Sequence, residues 1–201
     1  MAFTSYADIS AAVGEWAARG DAKVLGQVSN FVRLGEERIW KRLRVSWGVS
    51  LPITLTVPAG QNWVALPDDW LAFKRIQTAA EPLLEYMPVD MLLDLPEPGN
   101  PQRYSIEGGR FYYGQTPAAD LAFTARYYQH PGFLEVAGST WLLTKAPSVY
   151  LYAALLELHI FTKNAARVAE FGSLLDRAID ELDSADRAAM ISGSRLRVSR
   201  G

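Results

Sequence analysis

No cysteine occurs among the 201 residues, which removes disulfides, thiolate nucleophiles and cysteine-based zinc sites together and suits a reducing compartment. Histidine is almost as scarce: His130 and His159 are the two present, and neither stands at a recurrent ligand spacing from another histidine or a carboxylate. No GxxxxGK[ST] or GxGxxG stretch appears, and Gly108-Gly109 lies between strand-like runs instead of ahead of a helix, so a phosphate-cradling loop is missing. No metal or cofactor is expected. Neither sign of charge dominates, with 20 Lys and Arg against 22 Asp and Glu, so any contact with nucleic acid has to be local. Long apolar runs are lacking too. The longest, Val149 to Phe161, is interrupted by Glu157 and His159 and falls short of the roughly 20 residues that span a bilayer. The first residues, MAFTSYADIS, carry no basic segment ahead of an apolar core. The expectation is a soluble chain off the standard secretory route.

What is present is material for a core. Aliphatic and aromatic residues make up 49% of the chain and charged residues 21%, enough apolar surface to offset the conformational entropy of folding. Ser5 or Thr4 can cap a first helix from about Tyr6, with Ile9, Val13 and Trp16 at helical spacing and Gly20 as its stop. After Asp21 the spacing predicts one longer helix whose stripe is Leu25, Val28, Phe31, Val32, Gly35, Ile39 and Leu43. Its other side is charged, from Glu36 and Glu37 to the basic cluster Arg38, Lys41, Arg42 and Arg44, which complements the helix dipole.

From Trp47 to Trp141 the texture changes: ten of the eleven prolines fall here, among β-prone runs at Leu51 to Val57, Trp63 to Leu66 and Leu71 to Ile76. Gly108-Gly109 predicts a tight hairpin over Tyr104 to Tyr113, and the alternation of Leu121, Phe123, Ala125 and Tyr127 predicts a strand with one face inward. Pro88 to Leu95 reads as one or two helical turns. Pro147 then opens a helix that is apolar all round to Phe161, the pattern of a helix surrounded by others. Val168, Phe171, Leu175, Ala178, Leu182, Ala185 and Ala189 follow as a heptad seam, ended by Gly193. The fold class expected is α+β. Residues 1–46 and 142–193 form a helical bundle with a long projecting C-terminal helix, residues 47–141 a β-rich insertion, and residues 194–201 a mobile basic tail.

Catalytic constellations are thin. Asp68 and Asp69, with Glu135 as a distant third, are the carboxylates that could serve glycoside hydrolysis, yet Leu-Pro-Asp-Asp-Trp has the grammar of a turn. Trp63, Trp70 and Trp141 could stack sugars or bases, but their apolar surroundings favour core packing. Arg19-Gly20-Asp21 spells an integrin-type tripeptide and is more simply a helix stop followed by a cap. The tail carries Arg195, Arg197 and Arg200 without an acid, with Leu196 and Val198 between them, the composition of an arm that orders on a partner.

Three stretches in order, NFVRLGEERIWKRLR (30–44), ALPDDW (65–70) and WLLTKAPSVYLYAALLE (141–157), together with the GQTP turn (114–117), resemble the head-to-tail adaptor (head completion or connector) proteins of tailed bacteriophages. The resemblance implies a structural protein and no enzyme. Such proteins form a ring, usually of twelve copies, beneath the portal, extend the channel for double-stranded DNA and support the next tail or nozzle component. It places the protein in the virion neck, with host cytoplasm as the site of assembly and no membrane partner. By analogy Arg195, Leu196, Arg197 and Val198 would contact the portal, while Arg38, Lys41, Arg42 and Arg44 would face the channel and touch DNA non-specifically. The rival readings are a virion-associated cell-wall glycosidase and a minor tail or baseplate protein.

Overall fold

A computed structural model of the chain describes residues 3–17, 21–79, 83–94, 102–114 and 116–192. In chain order the described elements are α1 (Tyr6–Trp16), α2 (Ala22–Leu25), α3 (Val28–Arg42), β1 (Ile53–Val57), β2 (Trp63–Ala65), β3 (Trp70–Gln77), β4 (Glu85–Tyr86) and α4 (Val89–Leu93). They continue with β5 (Arg103–Glu107), β6 (Arg110–Tyr113), β7 (Leu121–Gln129), α5 (Leu134–Ala137), α6 (Trp141–Lys145), α7 (Pro147–Phe161) and α8 (Ala165–Ile191). The class is α+β. Contacts divide the chain into two compact units, Met1–Gly48 with Pro131–Gly201, and Val49–His130.

The first unit is organised by α7. Pro147 occupies its first turn, and Val149, Tyr150, Leu151, Leu155 and Leu158 are buried on successive faces, because α1, α3, α6 and α8 all pack on it. The closest approach is at Gly35 of α3. A Cβ there would lie 3.0 Å from the backbone carbon and Cβ of Ala153 and from the nitrogen of Ala154, so the absence of a side chain sets the spacing of the two helices. Glu157, the one carboxylate on α7, accepts from Arg38 Nε across that crossing at 2.7 Å. Ser5 starts α1 with a capping box: its hydroxyl accepts from the Asp8 N–H at 3.3 Å and Asp8 Oδ2 accepts from the Ser5 N–H at 2.9 Å.

Two sequence expectations are corrected here. The single helix after Asp21 is two, because the chain tightens after Leu25 through Gly26 N–H to Ala22 O (2.9 Å) and Gln27 N–H to Val24 O (3.0 Å), leaving Leu25 exposed and outside the buried stripe. The seam of α8 also drifts off the heptad. Its buried positions are Phe171, Leu175, Ala178, Ile179, Leu182 and Asp186, while Ala185 and Ala189 are exposed, as a straight helix of 3.6 residues per turn requires. Asp186 is tied down by accepting from the Ser46 N–H at 2.8 Å and from the Ser46 hydroxyl. The expected stops at Gly20 and Gly193, the tail and part of the GQTP turn lie outside the described residues.

The second unit holds two sheets. One has the order β1-β7-β3, antiparallel throughout; the other has the order β2-β6-β5-β4, with β4 parallel to β5. The hairpin between β5 and β6 turns at Gly108 (φ 56°) and Gly109 (φ 73°), the left-handed pair that a two-residue turn of this kind needs. On β7, Phe123, Ala125 and Tyr127 are buried while Ala122, Thr124 and Arg126 are exposed. The two sheets share an aromatic core in which Phe111 meets Phe123 at 4.9 Å and Phe73 at 6.0 Å.

Two glycines give opposite tests of this packing. Gly35→Val forces α3 off α7 and should lower the unfolding free energy by about 1–3 kcal/mol. Gly172→Ala, where nothing lies within 4 Å of the added Cβ, should raise it by about 0.5–1 kcal/mol through helix propensity. Urea titration of each variant beside the parent reads both signs.

Candidate functional site

The end of α3 carries the basic cluster, and its neighbours are acidic. Arg38 reaches Glu157, which is nearly buried, and Arg42 pairs with Asp176 on α8. Arg44 turns back along its own helix, Nη1 donating to the Trp40 and Leu43 carbonyls at 2.7 Å each and so closing the C-terminus. Lys41 is exposed. A groove of 350 Å³ continues the arrangement, lined by Arg42, Leu43 and Arg44 and, from α8, by Ile179, Asp180, Asp183 and Arg187, the last paired with Asp183 at 2.6 Å. The structure thus brings three of the four cations into bonds within the first unit, and much of their charge is spent on stapling α3 to its neighbours. The segment bearing Arg195, Leu196, Arg197 and Val198 lies outside the described residues.

Glu36 belongs to a different arrangement from the charged face that the sequence suggests. It is 1% exposed, and Oε1 accepts from the Leu134 N–H at 2.6 Å, the first amide of α5. Arg33 and Trp40 flank it at helical steps of three and four: the Arg33 guanidinium lies 4.2 Å from the centre of the Phe133 ring, and the Trp40 ring packs on the same Phe133 at 4.6 Å. One face of α3 therefore clasps the turn Phe133-Leu134. Burial pushes the Glu36 carboxyl up to about 7, against the opposing pull of the Leu134 amide and Arg33, with the Glu135 charge adding to the rise. Tyr150, hydrogen-bonded to Thr140 at 2.9 Å, is pushed up by its own burial, with a further push from Glu36.

His159 is 7% exposed and stacks on Phe171 at 5.2 Å, at the wall of a 530 Å³ cleft that Trp16, Thr162, Asn164 and Leu174 also line. The Arg167–Glu170 ion pair, 2.7 Å, sits at this cleft. His130 is a loop residue whose N–H donates to Asp69 O at 3.0 Å.

The carboxylates singled out for hydrolysis occupy separate units, Asp68 and Asp69 in Val49–His130 and Glu135 in the other. Asp68 and Asp69 are the centre of a β-turn closed by the Trp70 N–H on Pro67 O at 3.0 Å, and Asp69 Oδ1 accepts from the Tyr127 hydroxyl at 2.8 Å. That hydrogen bond, with burial as the larger cause, raises Tyr127 to about 12. Trp63 lies under the Arg110 guanidinium at 3.9 Å, and Trp70 packs edge-on to Phe73. Among the described residues no group of three or more His, Asp and Glu is placed to hold a metal ion, and no helix is long and apolar enough to cross a membrane.

Glu36 makes stability depend on pH in a stated direction. Its folded pKa lies above the ordinary 4.5, so the folded chain holds the proton more tightly, and the contribution is complete below about 4.5 and is lost as pH climbs through about 7. Asp8, whose capping bonds lower its pKa, acts only below this window. Unfolding free energy should therefore fall between pH 5 and pH 8 by up to about 3 kcal/mol. Glu36→Gln, which keeps an acceptor for the Leu134 amide, should flatten that fall and be the more stable chain at pH 8; urea titration across the pH series measures both.

The model of the SU10 adaptor protein family matches residues 4–199, nearly the whole chain. No curated protein matches it.

Proposed function

The chain belongs to the SU10 adaptor protein family, a structural family of phage adaptors, and from that premise we propose that it is the head-to-tail adaptor of a tailed bacteriophage, assembled as a ring beneath the portal. The match over residues 4–199 carries the reading. The ring, of twelve copies, extends the channel for double-stranded DNA and supports the next tail component.

The helical unit suits the task. An α7 buried on all sides gives each copy a rigid body, and α8, with 27 residues, runs about 40 Å. Beyond Asp186 the side chains of α8 are exposed to Ser192. The residues that follow bring Arg195, Leu196, Arg197 and Val198, and we assign them the portal contact: arginines for carboxylates on the portal, Leu196 and Val198 for its apolar pockets. Contact of the α3 cations with channel DNA would fall first to Lys41, since Arg38 and Arg42 are held by Glu157 and Asp176.

Assembly then follows mass action. The free chain is monomeric; docking on the portal fixes neighbours at high local concentration and closes the ring. Light scattering should give the mass of one copy for the chain alone and a ring mass on addition of portal rings. Removal of residues 194–201, or Arg195→Glu with Arg197→Glu, should abolish the shift while leaving the melting curve of the helical unit in place. A stable dimer indifferent to portal would overturn the reading.

A further inference from the structure

We propose that residues 132–138 are a strap on the first unit, latched to α3 through Phe133 and Leu134, which opens by itself while α3 and α7 stay folded. Ionisation of the Glu36 carboxyl releases the latch.

The segment has little of its own to keep it in place. α5 is a single turn, closed by the Val136 N–H on Phe133 O at 3.0 Å and the Gly138 N–H on Leu134 O at 2.8 Å, and a helix so short is not stable without tertiary contacts. Residues 135 to 139 are all exposed, Val136 at 87%. Each end of the strap is a glycine in the left-handed region, Gly132 at φ 83° and Gly138 at φ 72°, where a Cβ would meet nothing within 4 Å. Such positions absorb backbone rotation with no side chain to displace. Outside them the chain is fixed. On one side the His130 N–H donates to Asp69 O at 3.0 Å; on the other, Thr140 is buried, bonded to Tyr150 at 2.9 Å, and caps α6.

What holds the strap is concentrated in two neighbouring residues. Leu134 is wholly buried in the helical core, and its N–H donates to Glu36 Oε1 at 2.6 Å. Phe133 is gripped by Arg33 at 4.2 Å and by Trp40 at 4.6 Å. One further tie runs from the Tyr6 N–H to Gly138 O at 3.2 Å. When Leu134 lifts, Glu36 loses its cover and meets water, so opening and ionisation are one coupled event. The charged and titratable groups that bear on Glu36 are Arg33 on its own helix, Glu135 on the strap and Tyr150 on α7. Burial is the larger force and favours the protonated acid, against the Leu134 amide and Arg33, which favour the ionised one. An ionised Glu36 also repels Glu135, and opening parts the two.

The strap stands where the chain re-enters the first unit. Gly48 to Val49 and His130 to Pro131 are the two passages between the units. On the far side both are tied down, Val49 bridging Tyr128 and the Ser50 N–H donating to Tyr127 O at 2.8 Å. An opened strap therefore adds length to one passage without unfolding either unit. Neither a ring nor a portal is needed for it.

Amide hydrogen exchange of the full chain, followed residue by residue by NMR and divided by the rate of the unstructured chain, reads the opening directly. The Leu134 amide should exchange faster than those of Leu151 and Leu155 in α7, and should respond little to urea below the unfolding transition, where the α7 amides respond strongly. Its opening constant should rise about ten- to a hundredfold from pH 5 to pH 8. Glu36→Gln should remove that rise, and Phe133→Ala should increase opening about tenfold at every pH while keeping the slope with pH. Exchange of Leu134 at the rate and urea slope of α7 would mean that the strap opens only with the whole unit and would overturn the proposal. So would a rise with pH that persists in Glu36→Gln, or a Phe133→Ala strap as closed as the parent's. The parent measurement needs no variant, so it decides even where a substitution unfolds the chain.

Discussion

Burial of α7 on every side is the constraint from which the helical unit follows. A helix with no exposed position from Val149 to His159 has to be enclosed over that length, and here α1, α3, α6 and α8 do so. Enclosure demands close approach, which Gly35 supplies by lacking a side chain opposite Ala153. It also demands an answer for the one carboxylate on the helix, and Arg38 gives it at Glu157. The rest of the α3 chemistry is arranged around the same axis: Glu36 and its neighbours hold α5, and Arg42 holds α8. What looks in the sequence like a basic patch looking for a partner is in large part the internal fastening of a scaffold.

Features carried by local pattern were legible. Ser5 capping α1, Pro147 opening α7, the Gly108-Gly109 hairpin and the two-residue alternation of β7 each depend on residues within a few positions of one another. Features that join distant residues were not. Glu36 and Leu134 are 98 positions apart, and Ser46 and Asp186 are 140 apart; a glutamate beside arginines reads as a solvated face until the partner amide is seen. The break at Gly26 escaped for another reason, since the apolar spacing through Leu25 and Val28 continues across it. The parallel β4, two residues long, has no period to betray it. Of the candidate site, the cations of α3 were named and their partners were not.

The two units carry different kinds of work in this reading. Apolar enclosure and internal ion pairs make the helical unit stiff, and α8 ends in exposed turns. The β unit has an aromatic interior of its own. For a phage adaptor this separation is useful, because contacts can be altered on one unit without disturbing the core of the other.

The clasp on Leu134 has one more consequence. Burial holds the Glu36 carboxyl well above its ordinary range in the folded chain, so folding near neutral pH takes up protons from solution. The heat of folding then contains the ionisation heat of whichever buffer surrendered those protons, and two laboratories working in phosphate and in Tris would report different enthalpies for the same molecule.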